Sequence, residues 1–138
     1  MAGTILVVDD EPHILQVVSL KLRNAGFTVL TAADGEEGAM VARESSLDLV
    51  ITDYQMPYKT GIELSRMLRS NPSTADVPVI ILTARGYSLS ENDLSEGNIR
   101  GMISKPFSPR ALLQTVNDIL GDGSNATTPA SVNPKEAA

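Results

Sequence analysis

The sequence contains no cysteine and no tryptophan, and aromatic residues make up only 4% of it. Without cysteine, neither a disulfide framework nor a thiolate metal site can form. Long apolar runs are also missing, since the longest extend over a few residues and a membrane-spanning helix needs about 20. Basic residues are spread from Lys21 to Lys135 without a cluster. We therefore expect no membrane segment and no nucleic-acid contact from this chain.

What the sequence does contain is typical of one globular domain. Its 138 residues are 42% hydrophobic and 20% charged, and acidic residues outnumber basic ones by 17 to 11. A chain of this length can bury a core without disulfides or structural metals. The first four residues contain no basic residue, and Ile5–Val8 leads directly into two aspartates, which is not the pattern of a secretory signal. We expect an acidic, soluble, cytoplasmic protein.

Short β-branched runs alternate with longer amphipathic segments. Two of the runs are continuously apolar, as is typical of strands that are buried on both faces of a parallel sheet. The alternation predicts an α/β doubly wound domain over residues 1–121. Residues 122–138 have no periodicity and are predicted to be a flexible tail or the start of a linker. The five predicted strands are Thr4–Val8, Phe27–Thr31, Leu47–Thr52, Val77–Thr83 and Gly101–Ser104.

Helix start and stop signals lie between these runs. Pro12 fits the first turn of the first helix and Gly26 its end, whereas Asp34 is the predicted N-cap of the second helix. Ser108 and Pro109 begin the last helix. The segment from Ser88 to Glu96 is the poorest helix candidate. The apolar stripe of the first helix is predicted to consist of Ile14, Leu15, Val18, Leu20 and Leu22.

Chemically active side chains follow the predicted strands. Asp9 and Asp10 come directly after the first strand, Asp53 after the third, and Thr83 and Lys105 end or follow the fourth and fifth. In an open parallel sheet, ligands bind at the carboxyl ends of the strands. These five residues are therefore expected to meet at one edge of the sheet.

Three carboxylates at one point repel one another unless a cation is present, and Mg²⁺ suits such a site because it accepts few carboxylates together with phosphate oxygens. Lys105 and Thr83 could hold the oxygens of a phosphoryl group. Aspartate carboxylates form aspartyl phosphates, and Asp53 is the candidate nucleophile because it is expected to lie centrally. Asp9 and Asp10 are then the metal-ligand candidates.

In four motifs, the sequence resembles the receiver domain of the response regulators of two-component signalling. The matching motifs follow one another in the family's order and cover the chain from about Thr4 to Leu120. The motifs are Val7–Glu11, Asp53–Pro57 with Gly61, Leu82–Ala84 and Lys105–Phe107.

The resemblance implies a flavodoxin-like five-stranded parallel sheet of order 2-1-3-4-5 with helices on both faces. It also implies that Asp53 accepts a phosphoryl group from a histidine kinase or a phosphotransfer protein, so that the domain is a regulatory switch or phosphorelay component and not an enzyme beyond its own phosphotransfer and autodephosphorylation. The metal ligands for Mg²⁺ would be Asp9, Asp10, Asp53 and the backbone carbonyl of Gln55.

The resemblance implies roles for a second set of residues around the phosphoryl group. Lys105 and Thr83 would contact that group, and Lys105 would precede a cis peptide bond to Pro106. Ala84 would leave room for the phosphoryl oxygens, while Gln55 and Arg85 would tune how water reaches the group.

Two departures from the family pattern concern signal output. Met102 stands three residues before Lys105, where the family usually has an aromatic switch residue, and we expect this methionine to fill the core. Residues 96–100 replace a common Gly-Ala pair, and Asn98 can adopt the turn geometry of a glycine.

Two alternative functions remain. One is a receiver-fold interaction module whose phosphorylation has been lost, which Met102 favours. The other is an aspartyl-phosphate hydrolase, although the spacing of Asp9–Pro12 does not fit such enzymes. The downstream effector is left open. His13, the single histidine, is expected to face solvent.

Overall fold

The computed structural model describes residues 3–56, 60–83 and 98–121. In these ranges five parallel strands form one sheet of order β2-β1-β3-β4-β5, which confirms the fold class and strand order implied by the resemblance. The strands are β1 (Thr4–Val8), β2 (Thr28–Ala32), β3 (Leu49–Asp53), β4 (Val79–Thr83) and β5 (Ile99–Ser104). The helices are α1 (Pro12–Asn24), α2 (Gly35–Glu44), α3 (Gly61–Ser70) and α4 (Pro109–Gly121).

Alternate residues of each central strand supply two separate hydrophobic layers. On β1, Leu6 and Val8 pack with α2 and α3, whereas Ile5 and Val7 face the layer that contains α1 and α4. The same alternation holds along β3 and β4, because successive side chains of a strand point to opposite faces of the sheet. Every residue of β3 and β4 is buried. The continuously apolar strands therefore lie at the centre of a doubly covered sheet.

The local start and stop signals operate largely as predicted. Pro12 lies in the first turn of α1, and Gly26 has a φ of 103°, the left-handed conformation that favours glycine after a helix. The Asp34 side chain accepts a hydrogen bond of 2.8 Å from the Glu37 amide and so caps α2. Ser108 accepts one from the Ala111 amide at the start of α4.

Several predictions made from the pattern alone are wrong in detail. Leu20 does not belong to the buried stripe of α1, since it is 62% exposed. It lies between Val18 and Leu22, which are buried, and a helix rotates about 200° over two residues, so Leu20 points away from the sheet. The bounds of β1 agree with the prediction, whereas each of the other four strands differs from it by one or two residues at one or both ends. Strands β2, β3 and β4 begin later than predicted because apolar residues such as Phe27 and Leu47 precede the sheet ladder, and β5 begins two residues earlier.

Some predictions lie outside the described residues. These are the weak helix candidate from Ser88 to Glu96 and the tail at 122–138. In the described ranges, no helix is both long and apolar enough to cross a membrane.

Candidate functional site

Three aspartates meet at the carboxyl edge of the sheet. Val8 of β1 pairs in parallel register with Thr52 of β3, so the residues that follow them, Asp9 and Asp53, reach the sheet edge side by side. One carboxylate oxygen from each of Asp9, Asp10 and Asp53 lies within 4.8 Å of the others. Asp9 and Asp53 are buried, whereas Asp10 is exposed. The sheet thus presents a half-open cluster of negative charge.

The backbone around Asp9 is held by hydrogen bonds on both sides. Its amide donates to the carbonyl of Ala32, which ends the neighbouring strand, at 3.1 Å. Its side-chain Oδ1 accepts from the amide of Glu11 at 2.9 Å. Since Asp9 is fully buried, these bonds leave it little freedom to turn away from Asp53.

Lys105 reaches the same point from the end of β5. Its amide donates to the carbonyl of Thr83 at 2.7 Å, and its peptide bond to Pro106 is cis, as the resemblance implies. The ammonium Nζ lies 3.2 Å from Asp9 Oδ2, 3.2 Å from Asp53 Oδ1 and 3.1 Å from Glu11 Oε1. One cation is therefore shared by three carboxylates.

Thr83 ends β4 beside this cluster with an unused hydroxyl group. The residue is buried, and its Oγ1 has no hydrogen-bond partner within the part of the chain that the structure describes. A buried hydroxyl without a partner is costly and calls for an explanation. Ser19 and Ser65 show the same feature in the described ranges, so what singles out Thr83 is its position at the end of β4, where its carbonyl accepts from the Lys105 amide. Thr83 can therefore donate to an oxygen that enters the site.

The loop after β3 is held close to the site by a glycine. The Gly61 amide donates to the carbonyl of Tyr54 at 2.8 Å, and a Cβ atom built on Gly61 would lie only 2.6 Å from the carbonyl oxygen of Asp53. Any larger residue would displace the backbone of Asp53. The α3 helix then begins with a reciprocal capping box between Thr60 and Glu63.

Burial and mutual repulsion shift the protonation equilibria of the buried acids. Desolvation, reinforced by the Asp9 charge, raises the pKa of Asp53 to about 6 against the opposing effect of Lys105. Burial likewise raises the pKa of Asp9. Burial alone would lower the pKa of Lys105, but Asp9 and Asp53 together raise it, so this side chain stays charged.

The donor set fits a hard divalent cation. Carboxylate oxygens are the ligands that Mg²⁺ prefers, and three carboxylates meet at this point. The oxygens of Asp9, Asp10 and Asp53 are close enough to be shared by one ion. Asp10 leaves one side of the cluster open to solvent, where water ligands could remain.

The remaining residues that were singled out from the sequence differ in where they lie. Gln55 is exposed in the loop that follows β3. Ala84 and Arg85 lie outside the described residues. Met102 is not a core residue, contrary to expectation, because it is 38% exposed on the edge strand β5. His13 is exposed, as predicted.

Sequence reasoning overlooks Glu11 as a member of the site. The sequence places it only in the Val7–Glu11 motif, yet its carboxylate pairs with Lys105 across a separation of 94 residues. Its place directly after two aspartates is the available signal. A long-range partner for it cannot be read from that spacing.

Comparison with protein families gives a match over most of the chain. The family described as "Response regulator receiver domain" matches residues 5–117. The phosphate regulon transcriptional regulatory protein PhoB of Pseudomonas aeruginosa is 36% identical over 117 residues, which represent 85% of this chain and 51% of that protein. The chain thus spans about half the length of this curated relative.

Solved structures extend the similarity to three dimensions. The chemotaxis response regulator CheY4 of Vibrio cholerae matches with a TM-score of 0.81 at 33% identity, over 87% of this chain and 100% of that one. The receiver domain of sensor histidine kinase PA1611 from Pseudomonas aeruginosa matches with a TM-score of 0.77 at 26% identity, over 88% and 99% of the two chains. The latter structure contains a magnesium ion coordinated in its active-site cleft.

Proposed function

This chain belongs to the response regulator receiver domain family, and on that premise we propose that its Asp53 carboxylate accepts a phosphoryl group in a Mg²⁺-dependent reaction. Receiver domains of two-component response regulators are phosphoacceptor switches in general. The proposal specifies which atoms of this chain perform that function and which conditions they need.

In the proposed reaction, an ionised oxygen of Asp53 attacks the phosphorus atom of a phosphohistidine. The new O–P bond forms as the P–N bond breaks, and the bonding electrons return to the imidazole nitrogen. That nitrogen is left with a lone pair when the other ring nitrogen is protonated, and otherwise it takes up a proton from solvent. With a pKa raised to about 6, Asp53 is mostly ionised near neutral pH even before any cation binds. Burial removes water from the carboxylate, which favours attack.

We assign the metal-binding role to Asp9, Asp10, Asp53 and the backbone carbonyl of Gln55. When bound there, Mg²⁺ would neutralise the acidic cluster and the negative charge that a phosphoryl group brings. The close approach of the three carboxylates supports this assignment. The magnesium ion in the similar PA1611 receiver domain supports it independently.

Lys105 and Thr83 are assigned to the transferred group itself. Lys105 supplies a fixed positive charge, and Thr83 a hydroxyl hydrogen, to phosphoryl oxygens as negative charge develops on them. The Thr83 hydroxyl would then gain a partner, since it is buried without one among the described residues. Ala84, by its small size, would leave space for the same oxygens.

The phosphodonor is proposed to be a histidine kinase or a histidine phosphotransfer protein, met in the cytoplasm. The domain would then alter a surface that a downstream protein binds, and would lose the phosphoryl group by autodephosphorylation. The relative PhoB is named a transcriptional regulator, and this chain spans about half of it. The output of this chain is therefore proposed only as a protein contact.

One observation carries the proposal: Asp53 lies buried beside two further aspartates and within 3.2 Å of the Lys105 ammonium. The test is intact-mass spectrometry after incubation with Mg²⁺ and acetyl phosphate. A single phosphoryl adduct is expected, and it should disappear in Asp53→Asn and after removal of Mg²⁺. An adduct that persists in folded Asp53→Asn would refute the assignment of the nucleophile.

A further inference from the structure

Lys105 has one more acidic partner than the proposed reaction uses. An ammonium group has three N–H donors, and Lys105 Nζ lies at 3.1–3.2 Å from three carboxylates, those of Asp9, Glu11 and Asp53. Asp9 and Asp53 are assigned above to the metal and the phosphoryl group. Glu11 has no part in either step.

Hydrogen bonds fix the main chain of Glu11, and its side chain pairs with Lys105. Its amide donates to Asp9 Oδ1, and its carbonyl accepts from the amide of Leu15 in the first turn of α1. Glu11 is the N-cap residue of α1, yet its side chain forms no capping hydrogen bond. The carboxylate instead crosses to the residue that follows β5. Its side chain is 61% exposed, so this contact sits at the mouth of the site.

A divalent cation and Lys105 would draw on the same two carboxylates. Asp9 Oδ2 and Asp53 Oδ1 both accept from the ammonium in the described structure, and both belong to carboxylates assigned to the metal. Two cations beside the same two carboxylates repel each other. We therefore expect the contacts of Lys105 with Asp9 and Asp53 to weaken when the metal site fills. Glu11 is the third partner, and it remains available because it belongs to no metal ligand set.

We propose that Glu11 is a positioning residue that acts through Lys105: it retains the ammonium at the mouth of the site while the carboxylates of Asp9 and Asp53 bind the metal. This inference rests on the proposed function, since it assumes that these aspartates bind Mg²⁺. Glu11 thereby lowers the cost of displacing Lys105 and keeps the ammonium ready for a phosphoryl oxygen.

The test is a double-mutant cycle on Mg²⁺ affinity without any phosphodonor. The variants are Glu11→Gln, Lys105→Met and the two combined, and the dissociation constant is measured from amide NMR shifts at an ionic strength of about 0.5 M, where the Debye length is about 4 Å. Lys105→Met is expected to tighten Mg²⁺ binding, because a competing cation is removed. Glu11→Gln is expected to weaken binding about three- to fivefold in the presence of Lys105. In the Lys105→Met background, the same change is expected to cost less than about twofold.

Two matched variants separate position from charge. Glu11→Asp keeps the charge and should recover part of the affinity, whereas Glu36→Gln removes an exposed charge from the first turn of α2 at the same sheet edge and should leave the affinity unchanged. An equal loss for Glu11→Gln in both backgrounds would overturn the inference, since Glu11 would then act on the metal directly. A chain that binds no Mg²⁺ would overturn the proposed metal site and the inference together. Binding that Asp53→Asn weakens but Glu11→Gln does not affect would overturn the inference alone.

Discussion

Strands β3 and β5 lead to the two opposite charges of the site, Asp53 and Lys105, but the two strands differ in burial. Every residue of β3, which ends in Asp53, is buried in the centre of the sheet. In β5, which precedes Lys105, partly buried residues alternate with exposed ones, and the strand forms the sheet edge. The candidate nucleophile Asp53 therefore ends a buried central strand, whereas the Lys105 ammonium reaches it from the edge strand of the sheet. Substitutions along β3 should therefore reduce both stability and phosphorylation, whereas substitutions along β5 should affect one of these properties without the other.

The largest contrast is expected for core truncation. Ile51→Ala in β3 removes a fully buried side chain and should lower the free energy of unfolding by about 2–5 kcal/mol. Met102→Ala on the exposed face of β5 should change it by less than about 1 kcal/mol. Urea unfolding followed by circular dichroism measures both. Equal losses for the two variants would remove the distinction between the strands.

A second contrast compares the room for a Cβ atom at two glycines, one near each strand. Gly61→Ala places a Cβ atom 2.6 Å from the Asp53 carbonyl oxygen and should destabilise the protein by about 1–3 kcal/mol, because the rigid backbone behind the nucleophile must move. It should also slow phosphorylation by acetyl phosphate.

The matched control for that variant is Gly101→Ala in β5. Its Cβ would meet Thr115 at 3.5 Å, an ordinary contact, so stability and phosphorylation should both be retained. Retention of the normal phosphorylation rate in Gly61→Ala would show that the close approach of α3 does not set the position of Asp53.

A smaller effect concerns the pH dependence of the metal-free protein. Because the pKa of Asp53 is raised from 3.8 to about 6, the native state binds a proton that the unfolded state has already released between these values. The contribution of Asp53 to stability is thus full below about pH 4 and is lost as the pH rises through about 6.

Asp53→Asn removes this dependence, since asparagine carries no charge at any pH. In the absence of divalent cations, the variant should be more stable than the unsubstituted protein at pH 7–8, by on the order of 1–2 kcal/mol, and the difference should shrink toward pH 4. Asp76→Asn, at an exposed position, controls for the loss of one charge. A variant less stable than the parent at pH 8 would contradict the idea that Asp53 is an under-compensated buried acid.

The same contrast between buried β3 and the edge strand β5 explains which parts of the fold and of the site can be predicted from the sequence. The continuously apolar runs of β1 and β4 favour strands that are buried on both faces, and the residues that end such strands lie at the sheet edge. The amino-acid pattern, read as an open parallel sheet, is enough to place Asp9 and Asp53 at one edge, whereas the strand order that makes β1 and β3 neighbours comes from the family resemblance. Peripheral positions carry weaker constraints, so the same pattern misplaces Leu20 and Met102 in the core although both are exposed.

Contacts between distant segments are the part that the sequence cannot supply. The pairing of Glu11 with Lys105 depends on the reach of two flexible side chains, which no local pattern encodes. The role of Gly61 likewise becomes clear only from the 2.6 Å approach of its missing side chain to Asp53. Local rules predict elements and edges, whereas packing determines which side chains meet there.

The most direct test of the central claim is to locate the phosphoryl group chemically. After phosphorylation by acetyl phosphate with Mg²⁺, borohydride reduces an acyl phosphate to a primary alcohol, which converts the modified aspartate to homoserine. Peptide mass spectrometry then identifies the position. We predict homoserine at Asp53 and at no other acid of the cluster. Homoserine at Asp9 or Asp10, or an unmodified Asp53 in a protein that carries the phosphoryl group, would contradict the account.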